Sequence, residues 1–394
     1  MEIRMRKISE EFNDLMSRLA PAFASNPGFN NAKDYIKGLM GSIERKNGWQ
    51  MAEYLGSTTP YSLQQFIYRG TYDADMLMNT GREYIVEHLG DEDGVCVLDE
   101  TGFLKKGEKS CGVSRQYTGT AGKVENCQIG VFLTYASKKG HCPIDRRLYM
   151  PKEWTQDSKR MKEARVPEEV DFRTKPQLGL RMIKTATEAG VPYRWIVGDC
   201  VYGNNRVIRE WCERNQKSYV LCLSGAEYID DDEQYTSIKD ILNNLPEEGW
   251  LRASCGNGTK GERIYDWYIK EVAPPREEGF SRWLLVRRNP LDYSDLQAHI
   301  CFALNGTTTE KLIEVAGMRW TVESCFEEAK SEVGMDEYEF RSYDGWYRHI
   351  TFSCLALALL TIISGQSLET IGFQDYNPSE SSLDEFKKKR NLLV

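Results

Sequence analysis

The sequence predicts an α/β protein: a mixed β-sheet with helices around it, a helical unit in front, and a β-rich insertion late in the chain. Three observations carry this. Residues 1–90 place their apolar side chains at helical spacing. From residue 94 onward, short apolar runs ending in an acid alternate with amphipathic helical stretches, the texture of a sheet with helical crossovers. Residues 218–308 then read as one strand after another.

Taken in order, "AKDYIKGLMGSIERKNGWQMAEYLG" (32–56) is helical and stops on Gly56. "TTPYSLQQFIYRG" opens a second helix, with Thr58 or Thr59 expected as N-cap and Pro60 at the first helical position. The pair has the form of a helix-turn-helix, and "DADMLMNTGREYIVEHLG" adds a third helix. "GVCVLDETGF" (94–103), "NCQIGVFLTYAS" (126–137) and "CPIDRRLYMP" (142–151) read as strands. The helix "KPQLGLRMIKTATEAG" follows, closed by Gly190, then the strand "YRWIVGDCVYG" (193–203) and the helix "NNRVIREWCERN". "SYVLCLSG", "GWLRASC", "RIYDWYIKEV", "SRWLLVRRN" and "AHICFAL" fill the insertion, and helices resume with "GMRWTVESCFEEAKSEVG" (317–334) and "YRHITFSCLALALLTIIS". The expected units are therefore 1–92, 93–217, 218–308, 309–366 and a polar tail, 367–394.

With 394 residues, 41% hydrophobic and 28% charged, the chain has ordinary globular composition and length enough for a large core. The apolar run "CLALALLTII" has the length of a buried helix, and "MEIRMRKISEEF" has no apolar stretch after its charges, so neither a membrane span nor a secretory signal is expected. Eleven cysteines without a CxxC, beside four histidines, argue against a zinc site or disulfide framework and for a reducing, cytoplasmic setting. The net charge of −8 argues on its face against nucleic acid, but residues 102–165 hold 14 Lys/Arg against 6 Asp/Glu, a basic window suited to a polyanion.

Two acids follow apolar strands: Asp99 after "VCVL" and Asp199 after "WIVG". Acids at the carboxyl ends of strands point into clefts where α/β sheets bind ligands. A third, Glu323, lies on a late helix, where about 100° per residue aligns it with Arg319 and Lys330. Met318, Val322, Cys325 and Ala329 make the neighbouring apolar stripe, and Thr321, Ser324, Glu328, Ser331 and Glu332 the far, solvent-type face. One reading of the charged stripe is a pair of helical salt bridges, Arg319–Glu323 and Glu327–Lys330. The other is chemical: three carboxylates brought together repel unless hard divalent cations sit among them.

The motifs "LDETGFLKKGEKSCGVSRQYTGTAGKVENCQIGVFLTYAS", "GDCVYG", "WLLV" and "RWTVESCFEEAKSEVGMDEYEFRSYDGWYRHI" resemble a bacterial insertion-sequence DDE transposase, of the cut-and-paste branch with a Y–R–E–K signature around its third acid. The likeness runs over residues 30–365 and keeps the R-x₃-E-x₆-K spacing; where the signature has tyrosine this chain has Ala316, with Tyr338 or Tyr343 as candidate substitutes. The resemblance implies an RNase H-like catalytic domain interrupted by the β insertion, with the N-terminal helices binding DNA. It implies Asp99, Asp199 and Glu323 as ligands of two Mg²⁺ or Mn²⁺ ions, and Arg319 and Lys330 as contacts to DNA phosphates. Trp283 matches an insertion-domain tryptophan that stacks on a flipped base, and Lys105, Lys106, Arg115, Arg287 and Arg288 are further candidate DNA contacts. Implied too are double-stranded DNA ends and target as partners, a homodimer at synapsis, and a bacterial, nucleoid-associated location.

Two other classes compete: a domesticated relative that binds DNA without cutting, and an RNase H-fold nuclease of another purpose. "GNGTKG" (256–261) satisfies GxGxxG but is followed by a strand, which makes it a turn rather than a dinucleotide site. His141 and His349 lack carboxylate or cysteine partners at useful spacing, and "KKKR" (387–390) reads equally as a solvated end and a phosphate contact.

Overall fold

The computed structural model describes residues 2–231, 234–258 and 261–369; the tail and its "KKKR" lie outside the described residues. The front of the chain is helical: α1 (Glu2–Leu19), α2 (Asn26–Met40), α3 (Gly48–Tyr54), α4 (Tyr61–Arg69) and α5 (Ala74–Leu89). The expected helix over 32–56 is broken. Gly41 leaves α2 with an extended backbone, and the Asn47 side chain accepts from the amides of Trp49 and Gln50, starting α3 afresh. At α4 the N-cap is Pro60, with no capping side chain, instead of Thr58 or Thr59. Its ring already fixes φ near the helical value, at −79°.

A strand meander follows: β1 (Val95–Leu104), β2 (Ser114–Thr118), β3 (Lys123–Ser137) and β4 (Gly140–Tyr149). Short α6 (Lys152–Thr155) and α7 (Ser158–Glu163) lead to α8 (Lys175–Glu188), which starts on a Thr174/Gln177 capping box. Then come β5 (Trp195–Gly198), α9 (Cys200–Gly203), α10 (Arg206–Arg214) and β6 (Ser218–Leu223). β3 pairs antiparallel with β1 on one edge and with β2 and β4 on the other, while β5 lies parallel to both β1 and β6. Three antiparallel strands beside two parallel ones, in the order β4-β3-β1-β5-β6, make the RNase H-like sheet.

The strand-rich segment does not stand apart from that sheet. After β7 (Tyr228–Asp231), β8 (Gln234–Ser237) and α11 (Ile238–Asn243), strands β9 (Leu251–Gly258), β10 (Gly261–Glu271), β11 (Phe280–Asn289) and β12 (Asp292–Leu304) continue it. β12 pairs antiparallel with β6, and the whole becomes a ten-stranded sheet. The segment's first strand, β6, is thus a strand of the central sheet. Within "GNGTKG", Gly258 of β9 stands opposite Gly261 of β10, and the strand β10, not a helix, follows.

The chain closes with α12 (Thr309–Gly317), α13 (Trp320–Val333) and α14 (Tyr343–Glu369). Part of α14, Tyr343–Gly365, has the length and apolarity of a bilayer span, but 72% of its apolar window is buried within the protein, as a core helix would be. It joins the sheet to the front helices: the Tyr35 hydroxyl meets His349 Nδ1 at 2.8 Å, Phe66 and Phe352 have ring centroids 5.4 Å apart, and Arg348 donates to the Ile67 carbonyl. All eleven cysteines are free thiols.

Candidate active site

A strand sends successive side chains to opposite faces, and β1 uses this to separate two adjacent acids. Asp99 stands opposite Phe132 of β3, whose ring meets Phe326 of α13 at 5.3 Å, so Asp99 faces α13. Thr101, two residues on, shares that face and accepts from Lys330 Nζ at 2.8 Å. Glu100 turns the other way, to Lys175 at the start of α8 and Tyr202 of α9. Val95–Leu98 pair in parallel with Trp195–Gly198 of β5, which brings Asp199, the residue after β5, level with Asp99; Asp99 itself lies within β1, which runs on to Leu104, instead of at the expected strand end. There it caps α9, taking the Val201 amide at 2.9 Å.

The third acid enters from α13. Arg319, at its N-cap, donates to Glu323 Oε1 at 2.6 Å and lies 3.8 Å from Asp99 Oδ2. Asp99 is 13% exposed and Glu323 41%. Burial pushes the Asp99 carboxyl up to about 7; Arg319 opposes that shift, and Asp199 and Glu100 add to it. Asp199 is raised for the same reasons, burial first and then Glu100. Burial alone would lower the Arg319 guanidinium, but Asp99 and Glu323 outweigh it and hold it above its ordinary value. A single guanidinium thus serves as counter-ion where acids crowd together.

Among the described residues no three Asp, Glu, His or Cys side chains are gathered closely enough to grip one ion. The donor set nevertheless suits a hard divalent cation, because it is all carboxylate oxygen. The raised Asp99 and Asp199 mark a charge deficit that such an ion would fill.

Other sequence-predicted residues are placed differently from expectation. Of the two helical salt bridges read in the α13 stripe, Arg319–Glu323 forms, beside Asp99, while Glu327–Lys330 does not. Lys330 spends its ammonium on Thr101, the Gly102 carbonyl and Thr120, and burial lowers its pKa. The far face of α13 is only partly solvent: Ser331 is exposed, but Glu332 is buried and Glu328 meets His141 Nε2 at 3.1 Å, a carboxylate partner distant in sequence. His349 is buried and structural.

Lys105 is not a free DNA contact: it lies 3.5 Å above the Tyr338 ring and donates to that residue's carbonyl, while Lys106 and Arg115 are exposed. Within the basic window, Arg146 is buried against Asp75, so part of that charge is internal. Trp283 is half-buried against the core, level with Cys301, Val220 and Val197. Arg288 is held between Trp250 and Tyr293 and paired to Asp266; Arg287 lies over Tyr265. Of the two tyrosines considered in place of that at Ala316, Tyr338 gives its hydroxyl to Gln128 and Tyr343 packs on Tyr347. Sequence reasoning passed over Glu100, Lys175 and Tyr202, although the acid pair "DE" on one strand was a visible signal.

The chain is 23% identical over 315 residues to the probable transposase for insertion sequence element IS701 of Microchaete diplosiphon, a match covering 78% of this chain and 75% of that protein. Residues 18–227 match the family described as DDE superfamily endonuclease. That span holds Asp99 and Asp199 and ends before α13. With an RNase H-like sheet that carries two acids level with each other on adjacent strands, and with this match over more than half its length, the chain belongs to the DDE superfamily endonucleases.

Proposed function

We propose that this protein is an insertion-sequence transposase that cuts and rejoins DNA at the ends of its element. The observation that carries the reading is Arg319 bonded to Glu323 and 3.8 Å from Asp99, with Asp199 level with Asp99 at the end of the neighbouring strand β5. The similarity to a probable insertion-sequence transposase supports it. Asp99, Asp199 and Glu323 would hold Mg²⁺ or Mn²⁺. Bound there, two such ions supply charge stabilisation to the attacking and leaving oxygens of a phosphodiester displacement.

The chain's own residues do the rest. Asp99 and Asp199 are fixed by β1 and by the turn of α9, so they define where the scissile phosphate lies. Arg319, released from Glu323 by an incoming phosphate, neutralises charge on the strand being cut; Lys330, fixed over Thr101, lies one step further along. Water attacks phosphorus and the P–O3′ bond breaks, freeing a 3′-OH. That hydroxyl attacks the phosphodiester of the opposite strand, closing a hairpin on the element end as the flanking strand leaves with its own 3′-OH; water then opens the hairpin and restores the element's 3′-OH, which attacks a target phosphodiester whose 3′-oxygen leaves. No covalent protein–DNA bond is required, and the front helices α1–α5 together with the exposed Lys106 and Arg115 bind the duplex. Two copies act together at synapsis, in the bacterial cytoplasm.

A reporter interrupted by a marker between the gene's own flanking sequences tests this in bacterial cells. Wild-type protein restores the reporter and Asp199→Asn does not; equal restoration by both would refute the assignment.

A further inference from the structure

Beneath the site lies a network that the chemistry above does not use. Glu100 is 17% exposed, and its two oxygens are divided between elements: Oε1 faces Lys175 Nζ at 2.6 Å and Oε2 accepts from the Tyr202 hydroxyl at 2.7 Å. Tyr202 is fully buried and belongs to α9, the turn whose first residues are capped by Asp199. One carboxylate therefore ties the strand bearing Asp99 to the turn bearing Asp199, with α8 as the third anchor.

The motif "GDCVYG" is built for this closure. A Cβ at Gly198 would stand 3.2 Å from Tyr202, and one at Gly203 would stand 1.8 Å from the Cys222 carbonyl oxygen. The two glycines thus let α9 lie directly on β6, with Tyr202 beneath it. A filler needs no charge here. A buried acid and ammonium cost desolvation that an apolar pair of the same shape avoids, so what the network distinctively provides is a fixed geometry.

We propose that Glu100, with Lys175 and Tyr202, is a positioning group that sets the separation of the Asp99 and Asp199 carboxylates and thereby tunes that pair's affinity for a divalent cation. The inference rests on Asp99 and Asp199 being the metal acids. Partners that orient ligands typically change metal affinity by about 10–100-fold when removed. The test is Mn²⁺ titration of the full-length protein, reading free Mn²⁺ by electron paramagnetic resonance, for wild type, Tyr202→Phe, Asp199→Asn and Tyr219→Phe. Tyr219 is the control: it is also fully buried, and its hydroxyl meets Glu213 at 2.7 Å.

Tyr202→Phe is expected to weaken Mn²⁺ binding about tenfold or more, with Tyr219→Phe unchanged. Wild-type affinity in Tyr202→Phe overturns the proposal, and so does an equal loss in both phenylalanine variants, which would mark general loosening. Equal binding by wild type and Asp199→Asn would instead overturn the metal assignment beneath it.

Discussion

Replacing Asp99 by Asn should make the metal-free protein more stable. Asp99 is 13% exposed, and its carboxyl is raised from 3.8 to about 7, chiefly by burial. A carboxyl raised on folding weakens the fold wherever the unfolded chain has lost its proton and the folded one resists losing it. The penalty is thus full above pH 7 and fades as pH falls toward 3.8. At about 1.4 kcal/mol per pKa unit, the shift amounts to about 4 kcal/mol at pH 8 and about 2 kcal/mol at pH 5. Arg319 keeps Glu323 as a partner in the variant, so no buried charge is orphaned. An unfolding entropy of about 2.1 cal/mol/K per residue converts these figures to Tm gains of about 5 °C and about 2 °C. Differential scanning calorimetry in chelator at the two pH values is the assay. A variant less stable than wild type, or a gain that grows on acidification, would refute the electrostatic reasoning.

Three further outcomes follow from the same geometry. Glu323→Gln should abolish DNA cleavage while leaving binding to element ends nearly intact, because a side chain 41% exposed and paired only to Arg319 is replaceable in the fold; a binding loss in gel-shift assays as large as that of Lys330→Ala would contradict its role. Gly203→Ala drives a methyl against the Cys222 carbonyl, so it should destabilise by about 1–3 kcal/mol and reduce cutting; an unchanged urea midpoint would show that α9 does not lie on β6. The buried imidazoles of His299 and His349 are pushed down from 6.5 to about 3 and about 4, mainly by burial. The stability they confer is full above pH 6.5 and lost on acidification, about 2 kcal/mol each between pH 7 and pH 5. Measured in Asp99→Asn, which lacks the opposing carboxyl, the urea midpoint should fall over that window, and a midpoint that holds steady would mean these rings are not buried neutral.

Local signals in the sequence were read well where the physics is local. Asp99 and Asp199 follow apolar runs that become parallel β1 and β5, so the acids had to emerge at one edge. Helical spacing alone placed Arg319 beside Glu323. Pairing between distant segments was not legible: nothing within "SYVLCLSG" or "AHICFAL" says that β6 and β12 are neighbours, and from that pairing follows the continuity of the sheet. The far face of α13 looked polar because Glu328 and Glu332 are charged, yet His141 of β4 meets Glu328 and the fold covers Glu332. Lys105 and Arg146 read as surface charge because cation–π contacts and buried ion pairs join residues far apart in sequence. The broken helix before Asn47 was within reach, since Asn-Gly ahead of an apolar run is a start signal.

The central claim is that three carboxylates on β1, β5 and α13 form one centre for cutting DNA. Its most direct test is incubation of purified protein with DNA carrying the gene's own flanking ends, with and without Mg²⁺, comparing wild type with Glu323→Gln. The account predicts Mg²⁺-dependent nicks at the element ends by wild type and none by the variant. Tight binding to those ends with no cleavage by wild type in Mg²⁺ or Mn²⁺ would contradict it and leave a DNA-binding protein that does not cut.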